Sequence, residues 1–284
     1  MERKITNELT KWKIDSYKRP LLLSGISGCG KTYTTLEFGK NEYKNTVYFD
    51  CKENLELAYV IDKNQTKEKL IRALSAISLE TILKEDTLII LDNITEKIMT
   101  TIKKLFTGED YHIIMITNDE NFVKKHKTEG INYKKMNLVT FQEFLKYRGK
   151  EQLIDFIKDS FKNNKSMPFH TLATELYNDY VLTGGYPNAI INYKNSEDYN
   201  LLSNTHDKNI KLIKYKLLKL DNLIDIKRGQ EVYNNISIQL LKDNKKFQYG
   251  NIKPGARSKE YEKSIKFMIE NNMIIKSTRV KELT

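Results

Sequence analysis

Within eight residues, Gly25-Ile-Ser-Gly-Cys-Gly-Lys31-Thr32, this chain places three glycines, an ammonium group and a hydroxyl. Gly25, Gly28 and Gly30 let the backbone turn back on itself and aim successive N–H groups into one concavity, which a larger side chain would crowd. Ile26, Ser27 and Cys29 supply the intervening N–H groups, and Tyr33 ends the segment assigned to the ligand. A helix opening at Lys31 adds the positive end of its dipole, so the concavity favours a polyphosphate. Lys31 then reaches the outer phosphates of a nucleoside triphosphate, and Thr32 offers its hydroxyl to Mg²⁺.

A second oxygen ligand for that metal is expected where a buried strand turns abruptly polar. Thr87-Leu-Ile-Ile-Leu91 followed by Asp92 has that form, and Asp92 is read as the Mg²⁺ carboxylate. The next position, where a carboxylate would orient and deprotonate the attacking water, holds Asn93. An amide cannot accept that proton. Glu96, one turn on, is either a substitute base or a solvated helix residue. A third apolar run, Tyr111 to Ile116, ends in Thr117-Asn118, which either senses the terminal phosphate and its water or simply opens a loop. Lys31, Asp92, Asn93, Thr117 and Asn118 are therefore the candidate catalytic set.

Elements that hold such a set must alternate strand and helix. Strands are expected at 20–24, 46–50, 87–91, 111–116 and 133–139, with helical periodicity between them at Thr66 to Leu74 and Ile94 to Phe106. This implies a parallel sheet with helices on both faces and the nucleotide at the carboxyl ends of the strands. From Phe141 the pattern becomes helical, interrupted at Gly184-Gly185-Tyr186-Pro187, and a helical lid is expected. The last stretch reads as a helix at Val232 to Lys242, a turn at Asn251 to Pro254, a helix at Arg257 to Asn272 and a strand at Met273 to Val280. That order is the order of a winged helix. The expected domains are 1–140 for the nucleotide, 141–225 for the lid and 226–284 for the winged helix.

Composition narrows the partners. The 284 residues carry a net charge of +11, and His206 to Thr284 contributes 18 Lys and Arg against 9 Asp and Glu. Charge concentrated at one end points to an acidic partner such as nucleic acid, or to the codon bias of an AT-rich genome. No apolar stretch approaches the roughly 18 residues that span a bilayer, and the amino terminus lacks a signal-like segment, so a cytoplasmic protein without a membrane partner is expected. Cys29 and Cys51 have no metal-binding spacing and are expected to be reduced.

The segments RPLLLSGISGCGKT, VYFDCKEN, TLIILDNI, YHIIMITND, VTFQEFL, YVLTGGYPNAI and KKFQYGNIKPGARSKEYEKSIKFMIENNMI occur in an order that resembles prokaryotic AAA+ superfamily ATPases. The resemblance implies a P-loop NTPase domain, a helical lid and a winged helix. It also implies ATP and Mg²⁺ as ligands, Thr117 and Asn118 at the sensor position, and Pro187 packed near the base unless it only breaks a helix. Arg257, in GARSKEY, matches the family motif or is structural. The chain departs from the family at Asn93, where glutamate is usual, which implies slow or lost hydrolysis. The family's nuclease-like domain after the winged helix has no counterpart here. The absence of an NKxD motif favours adenine over guanine.

These features lead to an ATP-dependent switch coupled to DNA. Expected DNA contacts are Lys253, Arg257, Lys259, Lys263 and Lys266, with Arg279 and Lys281 on the wing. Arg148 either reaches a neighbouring nucleotide in a homo-oligomer or is an ordinary surface arginine. The alternative function is a nucleotide-loaded signalling or protein-interaction module in which hydrolysis is vestigial.

Overall fold

Hydrophobic runs too short to be helices, each followed by an amphipathic segment, fold into a parallel sheet covered on both faces. The computed structural model describes residues 1–17, 19–63, 66–106, 111–126, 130–196 and 198–278. Contacts divide the chain into two units, Met1–Thr205 and His206–Thr284.

In the first unit the strands are β1 (Leu21–Ser24), β2 (Asn45–Asp50), β3 (Thr87–Asp92), β4 (His112–Thr117) and β5 (Asn132–Lys135). They lie in the order β2-β3-β4-β1-β5, all parallel. Every residue of β1, β3 and β4 is buried, which is why these runs are continuously apolar rather than alternating. Along β1, Leu22 joins one core with Ile89, Leu91, Ile113 and Met115. Leu21 and Leu23 join the other, with Leu88, Ile90, Ile114 and Ile116. Helices α1 (Lys4–Lys13) and α2 (Lys31–Glu42) contribute Leu9, Trp12 and Phe38 to the second core. Helices α3 (Leu55–Lys63), α4 (Lys67–Ser78), α5 (Glu96–Leu105) and α6 (Glu120–His126) add Leu57, Leu74, Ile98 and Val123 to the first. Because β1 separates β4 from β5, the loop after β1 opens at an interior crevice of the sheet edge, where ligands of such sheets sit.

Helices α7 (Phe141–Tyr147), α8 (Gln152–Asn163), α9 (His170–Thr183) and α10 (Pro187–Ser196) follow, together with α11 (Tyr199–Tyr215), inside which the division between units falls. Thr140 starts α7 with a capping box: its hydroxyl accepts from the Glu143 N–H at 3.3 Å, and the Glu143 carboxylate accepts from the Thr140 N–H at 2.8 Å. A small core of Val139, Phe144, Leu145, Leu153, Ile154, Leu176 and Ile190 holds α7 to α10 together.

The second unit is built on α12 (Leu223–Leu240) and α13 (Ser258–Glu270), packed through Leu217, Val232, Tyr261 and Met268. Tyr261 is fully buried, and its hydroxyl donates to Glu231 at 3.1 Å. Between the helices, the Gln239 side chain accepts from the Gln248 N–H at 2.7 Å and donates to the Gln248 carbonyl at 3.1 Å. These two bonds clamp the connection the way a strand pair would. α12 begins nine residues before the expected start at Val232, capped by Asn222, whose side chain accepts from the Asp225 N–H. The strand expected from Met273 is not formed over Met273–Thr278, which is irregular. The remainder of that expected strand, with Arg279 and Lys281, lies outside the described residues.

Candidate nucleotide site

Strand β1 ends at Ser24, and the chain must clear the backbone of the neighbouring strand at once. A Cβ on Gly25 would lie 2.3 Å from the Met136 carbonyl oxygen, beyond any side-chain adjustment, so the loop can begin only with glycine. Gly28 and Gly30 take left-handed φ of 81° and 95°. Gly30 caps α2, which makes Lys31 its first residue and sets the helix amino terminus against the loop. The Lys31 ammonium is buried at the loop's mouth, donating to the Gly25 carbonyl at 2.8 Å and to the Ile26 carbonyl at 3.0 Å. Burial lowers its pKa from the ordinary lysine value, while the Cys29 thiol and Asp92 act in the opposite direction.

Thr32 and Asp92, sixty residues apart, meet here: the Thr32 hydroxyl donates to Asp92 Oδ2 at 2.6 Å. Tyr48, from β2, donates to the same oxygen at 3.3 Å, and burial followed by the Asp92 charge raises the tyrosine's pKa. Asp92 Oδ1 accepts from the Asn93 N–H at 2.8 Å, which fixes the carboxylate's plane. Hydroxyl and carboxylate oxygens converging next to a phosphate loop form a hard-oxygen donor set of the kind Mg²⁺ takes with one or two protein ligands.

Asn93 departs from the strand in a left-handed conformation, φ 54°, and its amide turns away from Asp92 toward β2. There Nδ2 donates to both carboxylate oxygens of Asp50, at 3.1 and 3.0 Å. Asp50 is the register partner of Asp92 on the adjoining strand. It also lines a hollow of about 520 Å³ with Tyr48, Glu53, Asn54 and Ile77.

On the other side of β3, Thr117 ends β4 in register with Ser24 and caps the turn that follows, accepting from the Asp119 N–H at 3.1 Å. Asn118 Nδ2 donates to the Ser27 hydroxyl at 3.2 Å, so this residue touches the phosphate loop directly. Glu120, which sequence reasoning passed over, is buried and lies 3.4 Å from the Lys135 ammonium. Glu96 is elsewhere, at the surface with Lys125 at 2.8 Å. Arg148 is ion-paired with Asp179 of α9 at 3.6 Å.

The Gly-Gly-Tyr-Pro break serves the loop as well. Gly184 and Gly185 both take left-handed φ, and a Cβ on Gly185 would lie 2.9 Å from the Val139 carbonyl, so the turn needs glycine. Val139 donates its N–H to the Gly185 carbonyl at 2.9 Å, and Pro187 then opens α10. The Pro187 ring lies 3.6 Å from where a Cβ of Gly30 would stand. Arg3, also unforeseen, joins the same place: its guanidinium donates to the Cys29 carbonyl at 2.9 Å, the Asn137 carbonyl at 2.7 Å and Glu143 at 3.2 Å. No local pattern marks Arg3, because every partner is remote in sequence. Asp50 did carry a signal, since Val47-Tyr-Phe-Asp50 ends on an acid just as Ile89-Ile-Leu-Asp92 does.

In the second unit, Lys253, Arg257, Lys259, Lys263 and Lys266 are all exposed. The spacing of 259, 263 and 266 on α13 puts those three lysines along one helix face. Lys263 is engaged within the unit, 3.0 Å from Asp221 and 3.1 Å from Asp225.

Residues 17–145 match a family model described as an AAA domain, and residues 174–283 match one described as a domain of unknown function. No curated protein matches the chain. Among solved structures, the chain is similar to the Walker-type ATPase PABY2304 of Pyrococcus abyssi, at 12% identity and TM-score 0.47, covering 97% of this chain and 91% of that one. It is also similar to the STAND protein PH0952 with a tetratricopeptide repeat sensor from Pyrococcus horikoshii, at 16% identity and TM-score 0.41, covering 97% and 40%. A third similarity is to Drosophila ORC bound to DNA, at 14% identity and TM-score 0.36, covering 96% and 81%. No described helix is long and apolar enough to cross a membrane.

Proposed function

We propose that this chain, whose residues 17–145 are an AAA-type P-loop ATPase domain, binds ATP with Mg²⁺, hydrolyses it, and uses the nucleotide state to switch its basic carboxyl-terminal part on DNA. The single observation that carries nucleotide binding is the convergence of Lys31, Thr32 and Asp92 at the mouth of one glycine loop, with Thr32 and Asp92 2.6 Å apart.

In this reading the loop's N–H groups, from Gly25 to Thr32, hold the β and γ phosphates, and Lys31 exchanges its carbonyl partners for phosphate oxygens. Thr32 and Asp92 hold Mg²⁺, which supplies charge neutralisation at the terminal phosphates. Asn118, linked to the loop through Ser27, reports whether the γ phosphate is present. Pro187 and Arg3, both against Gly30, give the helical lid a footing on the same loop. The domain plan proposed with this function is nucleotide domain 1–140, lid 141–225 and winged helix 226–284, acting in the cytoplasm, alone or as a homo-oligomer. Lys253, Arg257, Lys259 and Lys266, with Arg279, are the DNA contacts; Lys263 joins them only by leaving Asp221 and Asp225.

Calorimetry with ATP and Mg²⁺ tests the first part: uptake by the wild type that Lys31→Ala abolishes is expected, and no uptake by the wild type overturns the proposal. Fluorescence anisotropy with duplex DNA tests the second. Nucleotide binding without any DNA binding at low salt leaves the protein-interaction module as the function of the second unit.

A further inference from the structure

Hydrolysis needs a group that takes a proton from the attacking water, and the position after the metal strand offers an amide. Glu96, Glu120 and Asp50 follow or end the strands on that side of the sheet. Glu96 is at the surface, bound to Lys125. Glu120 is buried, but it follows β4 and its carboxylate lies against Lys135 at the end of β5. Asp50 differs from both. It ends β2 in register with Asp92, next to the strand that carries the metal ligand, and parallel neighbours of this kind lie about 4.8 Å apart.

Asn93 is what gives Asp50 a direction. The amide donates one N–H group's worth of bonding to each carboxylate oxygen, at 3.1 and 3.0 Å, and holds its own backbone in a left-handed turn to do so. Asparagine tolerates that conformation better than most residues, and the bonds to Asp50 and Asp92 hold it there. The Lys52 N–H donates to Asp50 Oδ1 at 2.9 Å, so Oδ1 is shared by two donors and Oδ2 by one. Oδ2 keeps acceptor capacity for a water. Tyr48, two residues earlier on the same strand, already reaches Asp92 Oδ2, which places the end of β2 at the metal carboxylate rather than away from it.

We infer that Asp50 is the general base of ATP hydrolysis and that Asn93 is the positioning residue that aims it, the carboxylate ending β2 and the amide directly following β3. This rests on the ATPase reading given above. In the reaction, water oxygen bonds to the γ phosphorus as the bond from that phosphorus to the β,γ-bridging oxygen breaks. ADP leaves with the electron pair, inorganic phosphate forms, and the water's proton passes to Asp50, directly or through one further water, and then to solvent.

The test measures phosphate release and ATP affinity for the full chain. Asp50→Asn is expected to lower kcat by about 10²-fold or more, the usual scale of a lost general base, with ATP affinity kept within roughly threefold. Retained affinity also shows that the variant folds. The exchange variant Asp50→Asn with Asn93→Glu moves the carboxylate to the position directly after β3 and is expected to regain at least about tenfold of the loss, which a purely structural pair would not do. Phosphate release by Asp50→Asn at the wild-type rate overturns the inference, as does loss of turnover in Glu120→Gln with Asp50→Asn unaffected. A wild type that takes up ATP in the calorimeter yet releases no phosphate overturns it too. Absence of ATP uptake is the separate failure of the nucleotide reading and is recognised by the calorimetric signal alone.

Discussion

Asp92 accepts from a threonine of the phosphate loop, from a tyrosine of β2 and from the backbone of the next residue, so its carboxylate is oriented before any ligand arrives. Asp92→Asn is expected to reduce ATP affinity in Mg²⁺ by at least about tenfold and to leave affinity in a chelator nearly unchanged, measured by titration calorimetry under both conditions. Equal losses in both conditions would mean that Asp92 shapes the loop rather than holding metal. Glu143 gives a prediction about pH. Burial acts to raise its pKa, but the Thr140 and Lys4 N–H groups and the Arg3 charge outweigh burial and hold it below the ordinary value of 4.5. A depressed folded-state pKa stabilises the fold above about 4.5 and is lost as pH falls through the lower folded value. Glu143→Gln is therefore expected to lower the melting temperature at pH 7, since breaking a buried pair costs about 3–5 kcal/mol, and to converge on the wild type in more acidic buffer. A difference that grows in acid would reverse the sign and refute the assignment. The glycine turn and the strand that ends at Asp92 were legible in sequence because each is a local pattern. Arg3 was not: its carboxylate partner is 140 residues away, and a single arginine in an amino-terminal helix start looks like any other surface charge.

At the level of elements, the strands were readable to within a residue or two at most ends because burial on both faces leaves uninterrupted apolar runs. β5 was the exception. It stops at Lys135, four residues before the expected end: the Met136 N–H makes a last bond to the Ser24 carbonyl of β1, and by Val139 the chain has turned to bond Gly185 instead. The position of β1 between β4 and β5 leaves no trace in any one segment, since strand order depends on crossovers and not on composition. The Gly-Gly-Tyr-Pro element was visible as a helix break, but its use was not, because that use lies in where the following proline is delivered. Gly185→Ala tests the delivery. The new Cβ must coexist with a φ of +71° and with the Val139 carbonyl at 2.9 Å, and strain of this kind costs on the order of 1–3 kcal/mol. The variant is expected to melt several degrees lower and, because Pro187 moves off Gly30, to bind ATP more weakly. A lower melting temperature with ATP affinity intact would make the turn a support for α9 and α10 alone.

At the scale of the whole molecule, the question is whether two units divided near residue 205 act as one machine. The second unit takes the larger part of the net positive charge, and α13 presents Lys259 and Lys266 to solvent on the face that also carries Lys263. Binding through phosphates releases counterions, so the logarithm of affinity falls linearly with the logarithm of salt, with a slope near −0.9 per contacted phosphate. Lys259→Ala and Lys266→Ala are each expected to reduce that slope by about one, read from anisotropy with a labelled duplex over a salt series. Lys263→Ala is expected to change it less and to cost some stability, because this ammonium is already spent on Asp221 and Asp225. The same experiment decides the coupling. If nucleotide and DNA act through one equilibrium between two states, ATP must alter DNA affinity by the same factor by which DNA alters ATP affinity, typically about 5- to 150-fold. Unequal factors are thermodynamically excluded, so the pair of titrations checks itself. Factors of one in both directions, with each ligand still bound, would leave an ATPase and a nucleic-acid module sharing a chain without a switch between them.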